Sequence, residues 1–345
     1  MKYIFFGTPE FGAVVLEKLI KAGYIPSAVI CNPDEPIGRK QILTPPPVKR
    51  LIVSGKWPIE IFQPITKSEL LAISHKLLAI KPDLAIVAAY GKILPKEIFS
   101  IPSYGFLNIH ASLLPYYRGA SPIQGAILNG DKETGVTIMK VDEKMDHGPI
   151  LANSKLLVAG SDTYESLSKK LAEIGAELLI KTIPNYISGK IKPIKQNHLK
   201  ATYTKIIKKE DGKIDWSKSA DEIERMTRAF YPWPSAWTVW QQETRDKGQI
   251  NKIVKILKAE SASQNNFSKY NIGEIFSDCF TSIQRCIEVK CGKGILNIKE
   301  LQIEGGKVLL AKEFLNGHKD FIGYNLTGSI LEKKGARAEH RAGTV

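Results

Sequence analysis

Tyr3-Ile4-Phe5-Phe6-Gly7-Thr8-Pro9 opens the chain with an apolar run that ends at a Gly/Pro turn. The run has the length and composition of a buried strand. From Phe11 to Lys21 apolar residues recur at helical spacing, with Phe11, Val14, Val15 and Leu19 on one face and Gly23 as the stop. Ile25 to Cys31 then reads as a second strand. Strand, helix and strand in this order form a βαβ unit, which predicts a parallel sheet with right-handed crossovers. The Gly7-x-x-x-x-Gly12 spacing lacks the middle glycine of a dinucleotide fingerprint and the Lys-Ser/Thr of a P-loop. It predicts a tight strand-to-helix turn.

Working outward, Pro58 to Phe62 and Asp83 to Ala88 read as further strands, with a helix over Ser68 to Leu78 between them. The nearly continuous apolar character of Asp83 to Ala88 marks a strand covered on both faces. The loop Ala89-Tyr90-Gly91 leaves its C-terminal end, where ligands collect in open α/β sheets, and its backbone could pair with a planar heterocycle. Ser121 is a candidate cap for a helix starting at Pro122. Glu133 to Val141 alternates as a strand, and Asp162 to Ile187 reads as a long helix. Gly189 to Glu210 loses all periodicity and reads as a linker. Beyond it come a helix over Ala220 to Ala229, an aromatic and Pro-locked run from Phe230 to Trp237, and about five short strand-like segments. Such a series of short strands fits a small OB-type β-barrel, a fold whose face often binds nucleic acids.

The chain has 345 residues and a formal net charge of +14. That length is enough for two domains. The charge excess is spread over both parts of the chain, and it suits a polyanionic partner as well as a Lys-rich solvated surface. Cys31, Cys279, Cys286 and Cys291 show no Cys-x-x-Cys pair and no zinc-like spacing, so reduced thiols are the simplest reading. No apolar stretch has the length of a signal-peptide core or a membrane span. A soluble cytoplasmic protein that acts as a monomer and makes no membrane contact is expected.

The chemistry concentrates in Leu107-Asn108-Ile109-His110-Ala111-Ser112-Leu113-Leu114-Pro115-Tyr116-Tyr117-Arg118-Gly119, read with Met145-Asp146-His147-Gly148-Pro149. Gly105 to Ile109 reads as a short buried strand, so Asn108 and His110, two apart, project to one side at its C-terminal end. An amide can stabilise a developing oxyanion, and an imidazole can move a proton at neutral pH. Asp146 is the candidate carboxylate to orient that imidazole, with Asp142 and Glu143 as alternatives. No nucleophilic Ser or Cys stands beside them, which leaves the nucleophile to the substrate.

Asn108-x-His110 followed by Ser112-Leu113-Leu114-Pro115 and Arg118-Gly119, then Asp146, resembles the folate-dependent formyltransferases. Gly7-Thr8-Pro9-Glu10-Phe11, Pro33-Asp34-Glu35-Pro36-Ile37-Gly38-Arg39 and Ala89-Tyr90-Gly91-Lys92-Ile93-Leu94-Pro95 resemble the branch that acts on methionyl-tRNA. The resemblance covers roughly residues 1 to 325. It implies a Rossmann-like, mostly parallel formyltransferase domain over 1–189, a linker over 190–209 and an OB-like tRNA-binding domain over 210–330. A tail over 331–345 resembles nothing in the family. It further implies transfer of a formyl group from 10-formyltetrahydrofolate to the α-amino group of initiator methionyl-tRNA, with no metal required. Asn108, His110 and Asp146 would be catalytic, Ser112, Leu113, Leu114 and Pro115 with Tyr90 and Gly91 would bind the folate, and Arg39 with Lys40 would contact tRNA. Related chemistry on a nucleotide-linked amino sugar, hydrolysis of the formyl folate, and nucleic-acid binding without catalysis are the rival readings.

Overall fold

The computed structural model describes residues 1–38, 40–243, 249–262, 269–277 and 286–326. It divides into two compact units, one from Met1 to Ile207 and one beginning at Lys208.

In the first unit the elements run β1 (Tyr3–Gly7), α1 (Glu10–Lys21), β2 (Ala28–Ile30), β3 (Glu35–Ile37), β4 (Ile42–Thr44), α2 (Pro47–Ser54), β5 (Glu60–Phe62), α3 (Lys67–Ala72), α4 (Ser74–Ile80), β6 (Leu84–Ala88), β7 (Phe106–His110), β8 (Arg118–Gly119), α5 (Pro122–Asn129), β9 (Glu133–Lys140), β10 (Ile150–Leu157), α6 (Tyr164–Ile187) and β11 (Tyr203–Thr204). Seven strands form one sheet in the order β10-β9-β7-β6-β1-β2-β5. The strands from β7 to β5 are parallel, and β9 and β10 extend the sheet antiparallel beyond β7. Every residue of β1 is buried, because helices cover both faces. The chain adds β2 and β5 on one side of β1, then returns to place β6 and β7 on the other. Strand order therefore reverses beside β1, and the carboxyl ends of β1, β6 and β7 border that crevice.

The long helix α6 starts at a capping box, in which Thr163 and Ser166 satisfy each other's backbone N–H groups. It packs across β7, β9 and β10. Gly175 permits this approach, since a Cβ there would lie 2.7 Å from Cγ2 of Ile109 in β7. The helix predicted over Ser68 to Leu78 is instead broken at Ile73, whose ψ of −3° closes α3 and opens α4. Ser74 follows it, a residue that competes with helical backbone bonds. Ser121 stands at the cap position of α5 without a capping bond from its side chain. Its backbone N–H is held by Thr204 Oγ1 instead.

Residues from Ile194 to Thr204 belong to the first unit and are paired within it. Ile194 bridges to Ile150, and β11 runs parallel to β8. Between β2 and α2, β3 and β4 form a two-stranded hairpin with Ile37, Ile42 and Leu43 exposed.

The second unit contains α7 (Ala220–Phe230), β12 (Ala236–Glu243), β13 (Gln249–Ala262), β14 (Ile275–Phe276), β15 (Ile287–Lys290), β16 (Ile295–Ile303), β17 (Leu309–Leu310) and α8 (Ala311–Gly317). Its strands build a curled antiparallel sheet in the order β12-β13-β16-β15-β14, with β17 beside β16. This is the OB-like arrangement expected. Trp216, Trp240, Ile256, Leu301, Phe314 and Phe321 fill its core. In the Pro-locked aromatic run Phe230 is buried, whereas Trp233 is 59% exposed.

Cys31 and Cys291 are buried free thiols, but Cys286 is disulfide-bonded. That corrects the reading of four reduced thiols, a pairing for which the spacing carries no signal. Cys279 and the tail over 331–345 lie outside the described residues, and among those residues no helix is long and apolar enough to cross a membrane.

Candidate active site

His110 ends β7 at the carboxyl edge of the sheet and is 5% exposed. Its two ring nitrogens face different acceptors. Nε2 lies 2.9 Å from the backbone carbonyl of Tyr117 and therefore donates, while Nδ1 lies 3.5 Å from Asp146 Oδ1. Asn108, two residues earlier, is half-buried, and its amide has no hydrogen-bond partner among the described residues. Strand alternation predicts that these two side chains share one face.

Asp146 sits in the loop between β9 and β10 with φ +48°, a left-handed conformation uncommon for residues other than glycine, although Asp enters it more readily than most. The surroundings are specific. Asp146 Oδ2 accepts the N–H of Gly119 at 2.7 Å, and the amide of Gln196 donates to the carbonyls of Asp146 and Gly148 at 2.9 and 2.7 Å. Gly119 has φ +105°, and a Cβ on it would collide with the Thr204 carbonyl, so only glycine brings its N–H to the carboxylate here. Asp142, the alternative carboxylate, is taken by His147 Nδ1 at 2.7 Å. Glu143 lines a separate cleft.

Behind this loop the guanidinium of Arg118, 2% exposed, bonds Gln196 Oε1, the Tyr203 hydroxyl and His198 Nδ1. No carboxylate pairs with it among the described residues. The His198 ring stacks on that of His147 with centroids 4.0 Å apart. Desolvation, followed by the charges of His147 and Arg118, holds His198 below the ordinary imidazole range. A neutral ring leaves Nδ1 free to accept from the guanidinium. The sequence assigns no role to Gln196 or Arg118. Gln196 lies in an aperiodic Lys/Pro/Gln segment, and nothing in that segment's spacing singles it out.

The segment resembling a folate motif is mostly internal. Ser112 and Leu114 are buried, the Ser112 hydroxyl donates to the Tyr116 carbonyl, and Thr137 Oγ1 ties Ser112 O to the Leu114 N–H. Leu114-Pro115 is cis. Leu113 faces a cavity of about 570 Å³ with Tyr116, Tyr117 and Asp131. The Tyr117 hydroxyl donates to Asp131, and burial first and that carboxylate second push its pKa up to about 12.

Tyr90 is 2% exposed, its hydroxyl has no partner among the described residues, and its carbonyl accepts from Thr8. Gly91 follows with φ +81°. Past them the loop opens a second cleft, of about 430 Å³, lined by Ile93, Leu94, Pro95 and Phe99 together with Lys67, Lys96 and Glu143. Neither lysine was singled out from sequence. Lys40 is exposed in the turn between β3 and β4, and Arg39 lies outside the described residues.

A formyl transferase family model matches residues 1–183, and the model of the formyl transferase C-terminal domain matches residues 206–319. A methionyl-tRNA formyltransferase from Caldicellulosiruptor saccharolyticus is 42% identical over 320 residues, which cover 92% of this chain and 97% of that protein. The one from Myxococcus xanthus is 40% identical, with 92% and 95% covered. Among solved structures, an N-formyltransferase from Helicobacter canadensis in complex with folinic acid and dTDP-3-aminofucose shares the fold at a TM-score of 0.58 and 21% identity, covering 86% of this chain and 99% of that one. HypX from Aquifex aeolicus in complex with tetrahydrofolic acid has the same TM-score at 16% identity, with 93% of this chain covered. This chain spans 47% of that HypX chain, about half its length. With family models matching along both units and relatives aligned over nearly their whole length, the chain belongs to the methionyl-tRNA formyltransferase family.

Proposed function

We propose that this protein transfers the formyl group of 10-formyltetrahydrofolate to the α-amino group of initiator methionyl-tRNA. The observation that carries the reading is the placement of an open Asn108 amide beside a His110 ring that faces Asp146 Oδ1 at 3.5 Å, with no protein nucleophile in the group. An α-amino group titrates near pKa ~8, and the adjoining ester lowers that value, so the free base is available at neutral pH. Its nitrogen bonds to the formyl carbon and gives a tetrahedral intermediate with a negative oxygen and a positive nitrogen. Asn108 donates to that oxygen. The ammonium loses a proton, N10 of the folate gains one, and the bond from carbon to N10 breaks to leave tetrahydrofolate and the formylated amine. His110 moves these protons, and Asp146 steadies the ring while it is charged.

The apolar lining of the second cleft by Ile93, Leu94, Pro95 and Phe99 suits a reduced pterin, and Lys67 and Lys96, which outnumber the one carboxylate of Glu143 in the lining, suit the anionic glutamate tail. Tyr90 and Gly91 lead into this cleft, and Ser112 to Pro115 shape the loop around His110. The hairpin of β3 and β4, with exposed Ile37, Ile42 and Leu43 and with Lys40 at its turn, is assigned to the tRNA acceptor stem together with Arg39. The net charge of +14 supports a polyanionic acceptor.

The test is transfer of label from formyl-labelled 10-formyltetrahydrofolate to initiator methionyl-tRNA, run beside elongator methionyl-tRNA and uncharged tRNA. Label confined to the initiator species is expected. Consumption of folate without labelling of any tRNA would overturn the acceptor and direct attention to amino sugars.

A further inference from the structure

We infer that Gln196, backed by Arg118, is the positioning residue that sets Asp146 against His110; the inference rests on the formyl-transfer reading above. Asp146 faces His110 from a left-handed backbone conformation, φ +48°, and while its side chain is held by the Gly119 N–H, its backbone turn needs a separate hold. Gln196 supplies that support. It is 6% exposed, and its amide nitrogen holds the carbonyls on both sides of the turn, those of Asp146 and Gly148. Its oxygen is fixed by Arg118 through Nε at 3.2 Å and a terminal nitrogen at 2.6 Å, so the amide cannot rotate without unpairing a buried guanidinium.

The same strand closes the other side. Arg118 immediately precedes Gly119, whose N–H grips Asp146 Oδ2, and immediately follows Tyr117, whose carbonyl takes His110 Nε2. Arg118 itself is pinned by its own N–H to the Thr202 carbonyl at 2.9 Å. One buried side-chain pair thus connects the Asp146 turn to the backbone that contacts both ends of the acid–base pair. A displacement of about 1 Å in such an arrangement costs on the order of 10² in rate.

Gln196→Glu separates positioning from general support. It gives Arg118 a carboxylate partner and so preserves the buried pairing, but it removes the N–H donors and sets oxygen against the two carbonyls. The experiment measures kcat, KM for both substrates and residue-resolved amide exchange in the full-length wild type and the variant, with Gln196→Met as a partner that abolishes both halves of the contact. The expected result for Gln196→Glu is a folded protein whose kcat falls about 10²-fold with both KM values within about threefold. Exchange at the Gly119 amide should accelerate roughly tenfold, while the Arg118 amide, bonded to Thr202, stays as protected as in the wild type. A folded Gln196→Glu protein with kcat within about threefold of wild type would overturn the proposal. So would equal acceleration at Gly119 and Arg118, which would make Gln196 a general brace for the segment. Failure of the wild type to formylate methionyl-tRNA would sink the functional reading instead, and the exchange contrast would still decide the positioning.

Discussion

Replacing Asp146 by Asn tests the acid–base pair with the least disturbance to the fold. The side chains are isosteric, and Asn keeps an oxygen for the Gly119 N–H now bonded at 2.7 Å, so the turn should persist. The loss of charge assistance in that bond costs on the order of 1 kcal/mol of stability. The other atom, now an NH₂, faces His110 Nδ1 and stabilises a neutral ring with its proton on Nε2. A carboxylate 3.5 Å from a charged imidazole contributes about 5 kcal/mol at an effective dielectric of ~20. Because 1.4 kcal/mol is about tenfold in rate, removing it should lower kcat by roughly 10³- to 10⁴-fold, with KM for tRNA and for folate close to wild type. The assay is steady-state transfer of labelled formyl to initiator methionyl-tRNA over a range of both substrates. A kcat within tenfold of wild type, in folded protein, would refute the role given to the carboxylate. A matched fall in tRNA affinity would reassign Asp146 to binding.

Lys67→Ala and Lys96→Ala should each raise KM for the folate donor several-fold and leave KM for tRNA unchanged, because the two lysines line the cleft beyond Tyr90 and Gly91; equal effects on both substrates would remove the folate assignment of that cleft. Gly175→Ala sets a methyl 2.7 Å from Ile109 Cγ2, an overpacking that costs about 1–3 kcal/mol against about 1 kcal/mol regained in helix propensity. The net expectation is a lower urea midpoint together with reduced kcat, since the strand pushed is the one carrying Asn108 and His110; a midpoint at or above wild type would show that α6 can retreat. Asp162 is buried, which raises its pKa, but bonds from Lys170, Ser166 and the Ala159 N–H outweigh burial and hold it below the usual carboxylate range. A depressed folded pKa contributes stability that is present above the unfolded value near ~3.9 and is lost as pH falls through the folded value. Asp162→Asn should therefore flatten the acid side of the stability profile below about pH 4, as read by chemical denaturation at each pH, and an acid limb identical to wild type would refute the linkage.

The sequence by itself determined those features that depend on periodicity, short-range spacing and residue type. The apolar run Tyr3 to Phe6 and the helical face from Phe11 announce a parallel sheet, and strand alternation alone puts Asn108 and His110 on one side. The Gly/Pro-bounded setting of Asp146 and the resemblance around it singled that residue out, and the sheet topology places it opposite the ring. Tertiary structure alone decided how that carboxylate is held. Gln196 is 50 residues beyond Asp146 in a stretch without periodicity, and Arg118 is 78 residues before its partner. Their role arises because β11 docks beside β8, and contacts across such separations leave no pattern in local sequence. The lysines at the cleft beyond Gly91 are similar: in the chain Lys67 and Lys96 are ordinary exposed cations, and only the return of the chain to β6 beside β1 places them on one cavity. Hydrophobic periodicity specifies which face of an element is buried, whereas the partners of a buried polar group are fixed by where distant elements meet.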